Sequence, residues 1–340
     1  MPKIDLHRHL EGSLRLSTIC EVARQHGVDL PSWDLEELRP YVQVVDDEPN
    51  YMEFLNKFTL LRRFYSTREA VVRVAYEAVT DAALDNIKYL ELRFNPVALA
   101  RSQGFSYEEV TDWVIEAVNH AQGDHGIQVR LIVQMNRHEP EYARRLVEVA
   151  AARQYKGIVG IDLAGNEVDF PATPFYDVFR WGKSQGLRIT AHAAEWGPPE
   201  HIREAIEVLG AERIGHGVRA MEDLSVIDLI MQKRITLEMC PTSNLQTGSV
   251  TGLGQHPIWA FHQIGIPVTV NTDDPSISNT TLTDELLVTM QGIGVPLRAI
   301  HEMTLNAARA AFLPPNERDK LVSWFRSALS RNFQASFVAK

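Results

Sequence analysis

The apolar residues of this chain gather in short runs that read as buried strands. They are Lys3 to His7, Tyr89 to Phe94, Val129 to Gln134, Gly157 to Leu163, Arg188 to His192, Arg213 to His216, Thr236 to Met239 and Pro267 to Asn271. Between most of them lie stretches with the period of an amphipathic helix, among them Tyr107 to His120, Glu141 to Arg153, Thr173 to Gln185, Pro199 to Leu209 and Ser225 to Gln232. Strands that alternate with helices pair in parallel with both faces covered, and eight such units close on themselves. The spacing therefore predicts an α/β fold, a (β/α)8 TIM barrel. An open doubly wound sheet would carry a glycine-rich phosphate loop after its first strand, whereas this first strand ends in His7-Arg8-His9.

The interval between the first two strands is about 80 residues, too long for one crossover helix, so extra helices are expected over the barrel mouth as a partial lid. Within it Tyr51, Phe54, Leu55 and Phe58 fall at i, i+3, i+4 and i+7, an apolar stripe on one helix face. After the eighth strand, helices are predicted over Thr283 to Gln291, Pro296 to Ala311 and Pro315 to Arg331. No repeat, low-complexity tract or linker interrupts the pattern, and residues 1–340 read as a single domain.

Composition narrows the function. A hydrophobic content of 45% with 23% charged residues is that of a soluble globular protein. A net charge of −10 argues against binding nucleic acid through its phosphates and favours a small neutral or cationic substrate. Cys20 and Cys240 are far apart and lack metal-type spacing, so no disulfide framework is expected and a reducing cytoplasm is the expected location. There is no apolar run of membrane-spanning length, and Met1-Pro2 leads into a strand without a signal peptide, so no membrane association is expected.

Chemistry in such barrels gathers where strands end at the C-terminal face. His7 and His9, two apart on a strand, project to the same side and can share one metal ion. His192-Ala193-Ala194-Glu195, Gly215-His216-Gly217 and Asn271-Thr272-Asp273-Asp274-Pro275 bring polar residues to comparable strand ends. Three imidazole nitrogens and a carboxylate oxygen suit zinc, with iron, manganese or cobalt able to use similar ligands, and such a metal makes water a nucleophile at neutral pH. Hydrolysis is the expected reaction class. His216, between two glycines, has room to act as base or electrostatic stabiliser; Glu195, if buried, can deliver a proton. The adjacent acids Asp273 and Asp274 are reconciled if one binds the metal and the other the substrate, and Gly165 lets a backbone N–H approach a flat ligand. No lysine lies near the end of the fourth strand to bridge two metals, so one metal per chain is expected.

Seven segments carry a resemblance: Ile4-Asp5-Leu6-His7-Arg8-His9-Leu10-Glu11-Gly12, Tyr89-Leu90-Glu91-Leu92-Arg93-Phe94, Asp162-Leu163-Ala164-Gly165, His192-Ala193-Ala194-Glu195, Arg213-Ile214-Gly215-His216-Gly217, Cys240-Pro241-Thr242-Ser243-Asn244 and Asn271-Thr272-Asp273-Asp274-Pro275. In this order, and over nearly the whole chain, they resemble the adenosine deaminase family of the amidohydrolase superfamily. The resemblance implies one zinc held by His7, His9, His192 and Asp273, with His216 orienting or deprotonating the attacking water. Glu195 would protonate purine N1, Asp274 would bond N7 and the Gly165 N–H would meet N3. His9 and Glu11 would face the substrate, Glu11 near the sugar 5′-hydroxyl, while Phe54 and Phe58 would form the apolar wall of the pocket. The cytidine-deaminase signature, His-x-Glu with Pro-Cys-x-x-Cys, is missing.

Two positions depart from the family. Ala194 stands where it usually has glycine, so an added methyl is expected to shift the Glu195 backbone or narrow the purine slot. Glu11 replaces an aspartate, and glutamate also occurs there in adenine deaminases. The implied reaction is deamination of adenosine or 2′-deoxyadenosine, with free adenine or a modified nucleoside such as aminodeoxyfutalosine as alternatives. The implied partner is a small purine nucleoside; no oligomeric state is implied.

Overall fold

Eight parallel strands follow one another round a barrel: β1 (Lys3–His9), β2 (Ile87–Phe94), β3 (Gln128–Asn136), β4 (Ile158–Ala164), β5 (Arg188–Ala193), β6 (Arg213–His216), β7 (Thr236–Met239) and β8 (Val268–Val270). This computed structural model describes the backbone of residues 1–338 and the side chains of residues 1–330. The last two positions of the expected 1–340 domain, and the side chain of Arg331 where the last helix was expected to end, lie outside the described residues. Between β8 and β1 the seam is held by a parallel bridge of Arg8 with Asp273. There the His9 N–H donates to the Asp273 carbonyl and the Asp273 N–H to the His7 carbonyl, both at 2.8 Å. These bonds carry β1 on to His9, two residues beyond the expected strand.

The interval between β1 and β2 holds four helices, α1 (Leu16–His26), α2 (Leu35–Val42), α3 (Tyr51–Leu61) and α4 (Arg68–Leu84). Of these, α4 is the crossover and packs against the outer helix Tyr107–His125. Helix α3 starts at Asn50, whose side chain accepts the N–H groups of Met52 and Glu53. The same Asn50 donates its own N–H to the Gln246 carbonyl at 3.0 Å, and Val44 donates to the Ile277 carbonyl at 2.8 Å. Those two bonds fasten the insertion to the loops after β7 and β8.

Helix ends differ from expectation for local reasons. The helix predicted to stop at His120 continues to His125, where Gly126 takes a left-handed conformation and ends it. The segment predicted as one helix from Pro199 to Leu209 is a short α-helix, Glu200–Glu204, followed by a π-turn, Ala205–Leu209. Those expected at Glu141 and Thr173 begin with 3₁₀ turns at Pro140–Tyr142 and Thr173–Phe175 before Ala143–Ala151 and Tyr176–Ser184. Short helices at Pro96–Ala100, Pro241–Gln246 and Ile258–Gln263 have too few residues to show a period. Among the described residues no helix is long and apolar enough to cross a membrane.

The barrel interior is charged. Glu91 and Arg93 of β2, Asp162 of β4, Arg213 of β6 and Glu238 of β7 alternate with apolar residues along their strands and are at most 1% exposed. Arg213 reaches Glu91 and Glu238, each at 2.5 Å, and lies 3.5 Å from the centre of the Phe312 ring. Glu91 also accepts the Tyr89 hydroxyl at 2.7 Å and the Phe312 N–H at 2.6 Å. Burying these ions is tolerable only because each has an opposite charge and further hydrogen bonds. Arg213→Met leaves Glu91 without its arginine and Glu238 with Arg93 alone, and urea melts are expected to show a loss of about 3–5 kcal/mol. A loss below about 1 kcal/mol would contradict this reading of the interior.

Candidate active site and metal centre

Four acceptor groups converge at the C-terminal end of the barrel. One ligand atom from each of His7, His9, His192 and Asp273 lies within 4.8 Å of the others, all buried. The Nε2 atoms of His7 and His9 are 3.2 Å apart, and Asp273 Oδ1 is 3.2 Å from the first and 3.1 Å from the second. The second group that could bind an ion, His7, His216, Cys240 and Asp273, shares two of these residues and so describes the same spot rather than another site.

Each imidazole is held by its other nitrogen. His7 Nδ1 is 2.9 Å from Glu238 Oε2, His9 Nδ1 is 2.6 Å from Gln134 Oε1 and His192 Nδ1 is 3.2 Å from Asp162 Oδ1. All three partners are acceptors, so each Nδ1 carries the proton and each Nε2 presents a lone pair. Three lone pairs and a carboxylate that face one another repel unless a cation lies between them, and this arrangement fits a metal ion. Burial, outweighing the nearby Asp162, lowers the His192 pKa to about 4 and keeps that ring neutral. Arg93 binds both carboxylates behind the rings, Asp162 at 3.1 Å and Glu238 at 2.8 Å. Gly215 is required here, because a Cβ would stand 2.9 Å from His7 Cε1 and 3.3 Å from His192 Cγ.

Beside the metal cluster, His216 Nε2 lies 3.4 Å from Glu195 Oε2 and 3.9 Å from Asp273 Oδ2. Burial in the first place, then the charge of Asp273, pushes the Glu195 pKa well above that of an ordinary carboxyl. Burial likewise holds His216 well below an ordinary histidine. The tautomer of His216 follows from a chain of bonds. Ile258 N–H donates to His256 Nδ1 at 3.3 Å, so His256 Nε2–H donates to Asn244 Oδ1 at 3.2 Å. The Asn244 amide then donates to His216 Nδ1 at 3.1 Å, leaving the His216 proton on Nε2, towards Glu195.

Ala194, His216 and Asp273, at or just beyond the ends of β5, β6 and β8, all have left-handed backbones, with φ of +52°, +61° and +61°. Such strain in residues that carry a Cβ gathers at functional sites, and here it turns the chain out of the strand direction beside the cluster. Asp274 comes next, its Oδ1 buried without a partner. Gly12 makes room for it, since a Cβ there would be 1.9 Å from that oxygen.

One cavity collects nearly all the residues singled out in the sequence. His9, Glu11, Phe54, Phe58, Gly165, His192, Glu195, His216, Asp273 and Asp274 line it. His7 is buried beneath the other ligands. Leu55 joins the wall, but Tyr51 does not: as the first residue of α3 it stacks on Trp196, with ring centres 4.7 Å apart. Ala194 does not line the cavity either, so its methyl does not narrow the slot; its effect falls on the backbone before Glu195. The lining also has a polar part made of Glu11, Arg62, Asn95 and Asn136, with Gln134 against His9. Glu11 Oε1 accepts the Asn95 N–H at 2.6 Å, while Glu11 Oε2 and Asn95 Nδ2 are buried with no partner.

Sequence reasoning gave no role to Arg93, Asp162 and Asn244, although they stand in the segments that carry the resemblance, and did not single out Glu238, Gln134 or His256. The signal for Arg93, Asp162 and Glu238 was present: a charged residue at alternate positions inside an otherwise apolar strand has to be paired in the interior. Asn244 stands on the short helix Pro241–Gln246 and His256 on the loop that follows Leu253–Gln255, and neither has a helical or strand period to mark its role.

The family model described as adenosine deaminase matches residues 2–327. An adenosine deaminase of Clostridium botulinum is 39% identical over 328 residues, 96% of this chain and 97% of that protein. Among solved structures, the adenine deaminase of Arthrobacter aurescens superposes with a TM-score of 0.89 at 28% identity, covering 97% of this chain and 99% of that one. The N6-mAMP deaminase of Arabidopsis gives 0.86 at 28% identity, covering 96% and 98%.

Burial of His256, whose pKa is lowered from 6.5 to about 3, has a consequence for stability. Between those values the unfolded chain takes up a proton that the folded chain refuses, so the contribution is present above pH 6.5 and is lost as pH falls towards 3. The stability gap between the wild type and His256→Asn is expected to shrink from about pH 7 to about pH 4.5 in denaturant melts. A gap that stays constant over that range would show that His256 is not buried in its neutral form.

Proposed function

The chain belongs to the adenosine deaminase family of hydrolytic deaminases, and on that premise we propose that it is a zinc enzyme converting adenosine and 2′-deoxyadenosine to inosine and 2′-deoxyinosine with release of ammonia. The observation that carries this reading is the convergence, in one cavity, of an apolar wall, a buried carboxyl whose pKa is raised and a cluster of three Nε2 lone pairs and a carboxylate that could hold a metal. Zinc held by His7, His9, His192 and Asp273 would supply Lewis acidity and a water-derived nucleophile at neutral pH.

The chain's own residues do the rest. Phe54, Leu55 and Phe58 cover a flat base, and the Gly165 backbone, which no side chain shields, approaches its N3 edge. Asp274 binds at N7. Glu195 delivers its proton to N1, which breaks ring aromaticity and makes C6 electrophilic. His216, with its proton on Nε2, orients the attacking water and stabilises the charge that develops there.

The polar part of the cavity favours a nucleoside over the free base. Glu11 Oε2 and Asn95 Nδ2, an acceptor and a donor without partners, suit a sugar hydroxyl, which free adenine does not carry. The relatives named adenine deaminase and N6-mAMP deaminase set the competing substrates, free base and 5′-monophosphate. A monophosphate would meet both the Glu11 carboxyl and the Arg62 guanidinium of that wall, so AMP is the competitor that the assay has to separate from adenosine.

With zinc-loaded protein, the fall in ultraviolet absorbance is expected with adenosine and deoxyadenosine and to be weak with adenine, AMP and aminodeoxyfutalosine. Faster turnover of adenine than of adenosine would overturn the substrate assignment. Glu195→Gln is expected to keep about one zinc per chain while kcat falls by about 10²–10⁴-fold, and His192→Ala to lose both metal and turnover. Retained turnover in Glu195→Gln would remove the proton donor from this mechanism.

A further inference from the structure

Past the end of β4, in Gly165-Asn166-Glu167, the Glu167 carboxylate turns back under the loop that follows β5. It is 3% exposed and does not line the cavity. Glu167 Oε1 accepts the backbone N–H groups of Glu195, Trp196 and Gly197 at 2.7, 2.7 and 2.9 Å. Glu167 Oε2 accepts the Ala194 N–H at 2.9 Å and His201 Nδ1–H at 2.8 Å. Five donors on one carboxylate saturate its lone pairs. The bond from His201 and those from the backbone outweigh burial and hold Glu167 ionised, its pKa lowered to about 2.

Four consecutive N–H groups can point at one carboxylate only if the chain turns sharply, and the turn is made at Ala194, whose φ is +52°. A left-handed conformation costs a residue with a Cβ about 1–2 kcal/mol, and glycine almost nothing. Because the peptide units are rigid, a relaxed Ala194 would rotate the Cα–Cβ direction of the next residue, Glu195. From the opposite side, Arg219 donates to the Trp196 carbonyl at 2.7 Å, so the turn is gripped at both faces.

We propose that Glu167 is a positioning residue for the deamination: its carboxylate anchors the Ala194–Gly197 turn, overrides the strain at Ala194 and aims Glu195 at the reacting base. The inference rests on the reading of Glu195 as proton donor. Glu167 touches neither substrate nor metal ligand and acts through the backbone alone.

The test compares zinc-loaded wild type with Glu167→Gln, which keeps the size of the side chain but replaces one accepting oxygen with an NH2 group that opposes the N–H donors. We expect kcat on adenosine to fall about 10- to 100-fold, with KM changed less than about threefold and zinc content unchanged. Glycine takes the left-handed turn without an anchor, so adding Ala194→Gly to Glu167→Gln is expected to restore most of the lost kcat. If Glu167→Gln does not fold, His201→Ala carries the test, since it removes one of the five bonds; a severalfold loss of kcat at unchanged KM supports the proposal. Wild-type kcat per zinc-loaded molecule in the folded variant, or a full loss that Ala194→Gly does not relieve, overturns it. Wild-type turnover of adenosine is the control. If that is absent, the functional reading and the inference fall together; if it is present while Glu167→Gln matches it, only the positioning role is lost.

Discussion

The site depends on one buried guanidinium. Arg93, fully inside the barrel, holds the carboxylates of Asp162 and Glu238 against the backs of two of the three clustered imidazoles, and its Nη2 also donates to the Leu6 carbonyl at 2.8 Å. The carboxylates in turn fix which nitrogen of His192 and His7 carries a proton. Without that cation Asp162 would lose its arginine and Glu238 would keep Arg213 alone, and an acid that became neutral would no longer force the tautomer that leaves the Nε2 lone pair free. The Arg93 contacts join β2 to β1, β4 and β7, so the bonds that set the imidazole tautomers also tie four strands together.

Around this floor three residues of the candidate site stand on strained turns. Ala194, His216 and Asp273 occupy left-handed backbones, and each is held by something specific. Asp273 is fixed by the seam bonds to β1, His216 by the Asn244 amide, and Ala194 by the carboxylate of Glu167. Gly12 and Gly215 have no Cβ because Asp274 and the imidazoles of His7 and His192 fill that space. Strain of this sort persists where the surroundings over-determine it, and the rigid interior supplies that over-determination.

Much of this was legible in the sequence, and the rest was hidden for definite reasons. All eight strands could be located because parallel strands buried on both faces are apolar runs, and the four clustered residues that could hold a metal stand at or just past strand ends, where barrel chemistry gathers. The apolar stripe of α3 foretold a wall made of Phe54, Leu55 and Phe58, but a helical period does not say where a helix begins to leave the cavity, and Tyr51 does so. Ala194 announced itself only as a departure from glycine; that it strains the backbone rather than fills the slot depends on Glu167, 27 positions away. The partners of the imidazoles were hidden because tertiary pairing across the barrel, as between Arg93 and Glu238, has no local period.

The central claim is that the charged interior, and not the ligands alone, makes the cluster a metal site. It is tested most directly by zinc affinity in Glu238→Gln, measured by competition with a chelator on protein whose thermal melt shows it to be folded. The Gln amide can still meet His7 but carries no charge for it or Arg93, so affinity is expected to fall about 10- to 100-fold. Affinity equal to that of the wild type would contradict the claim.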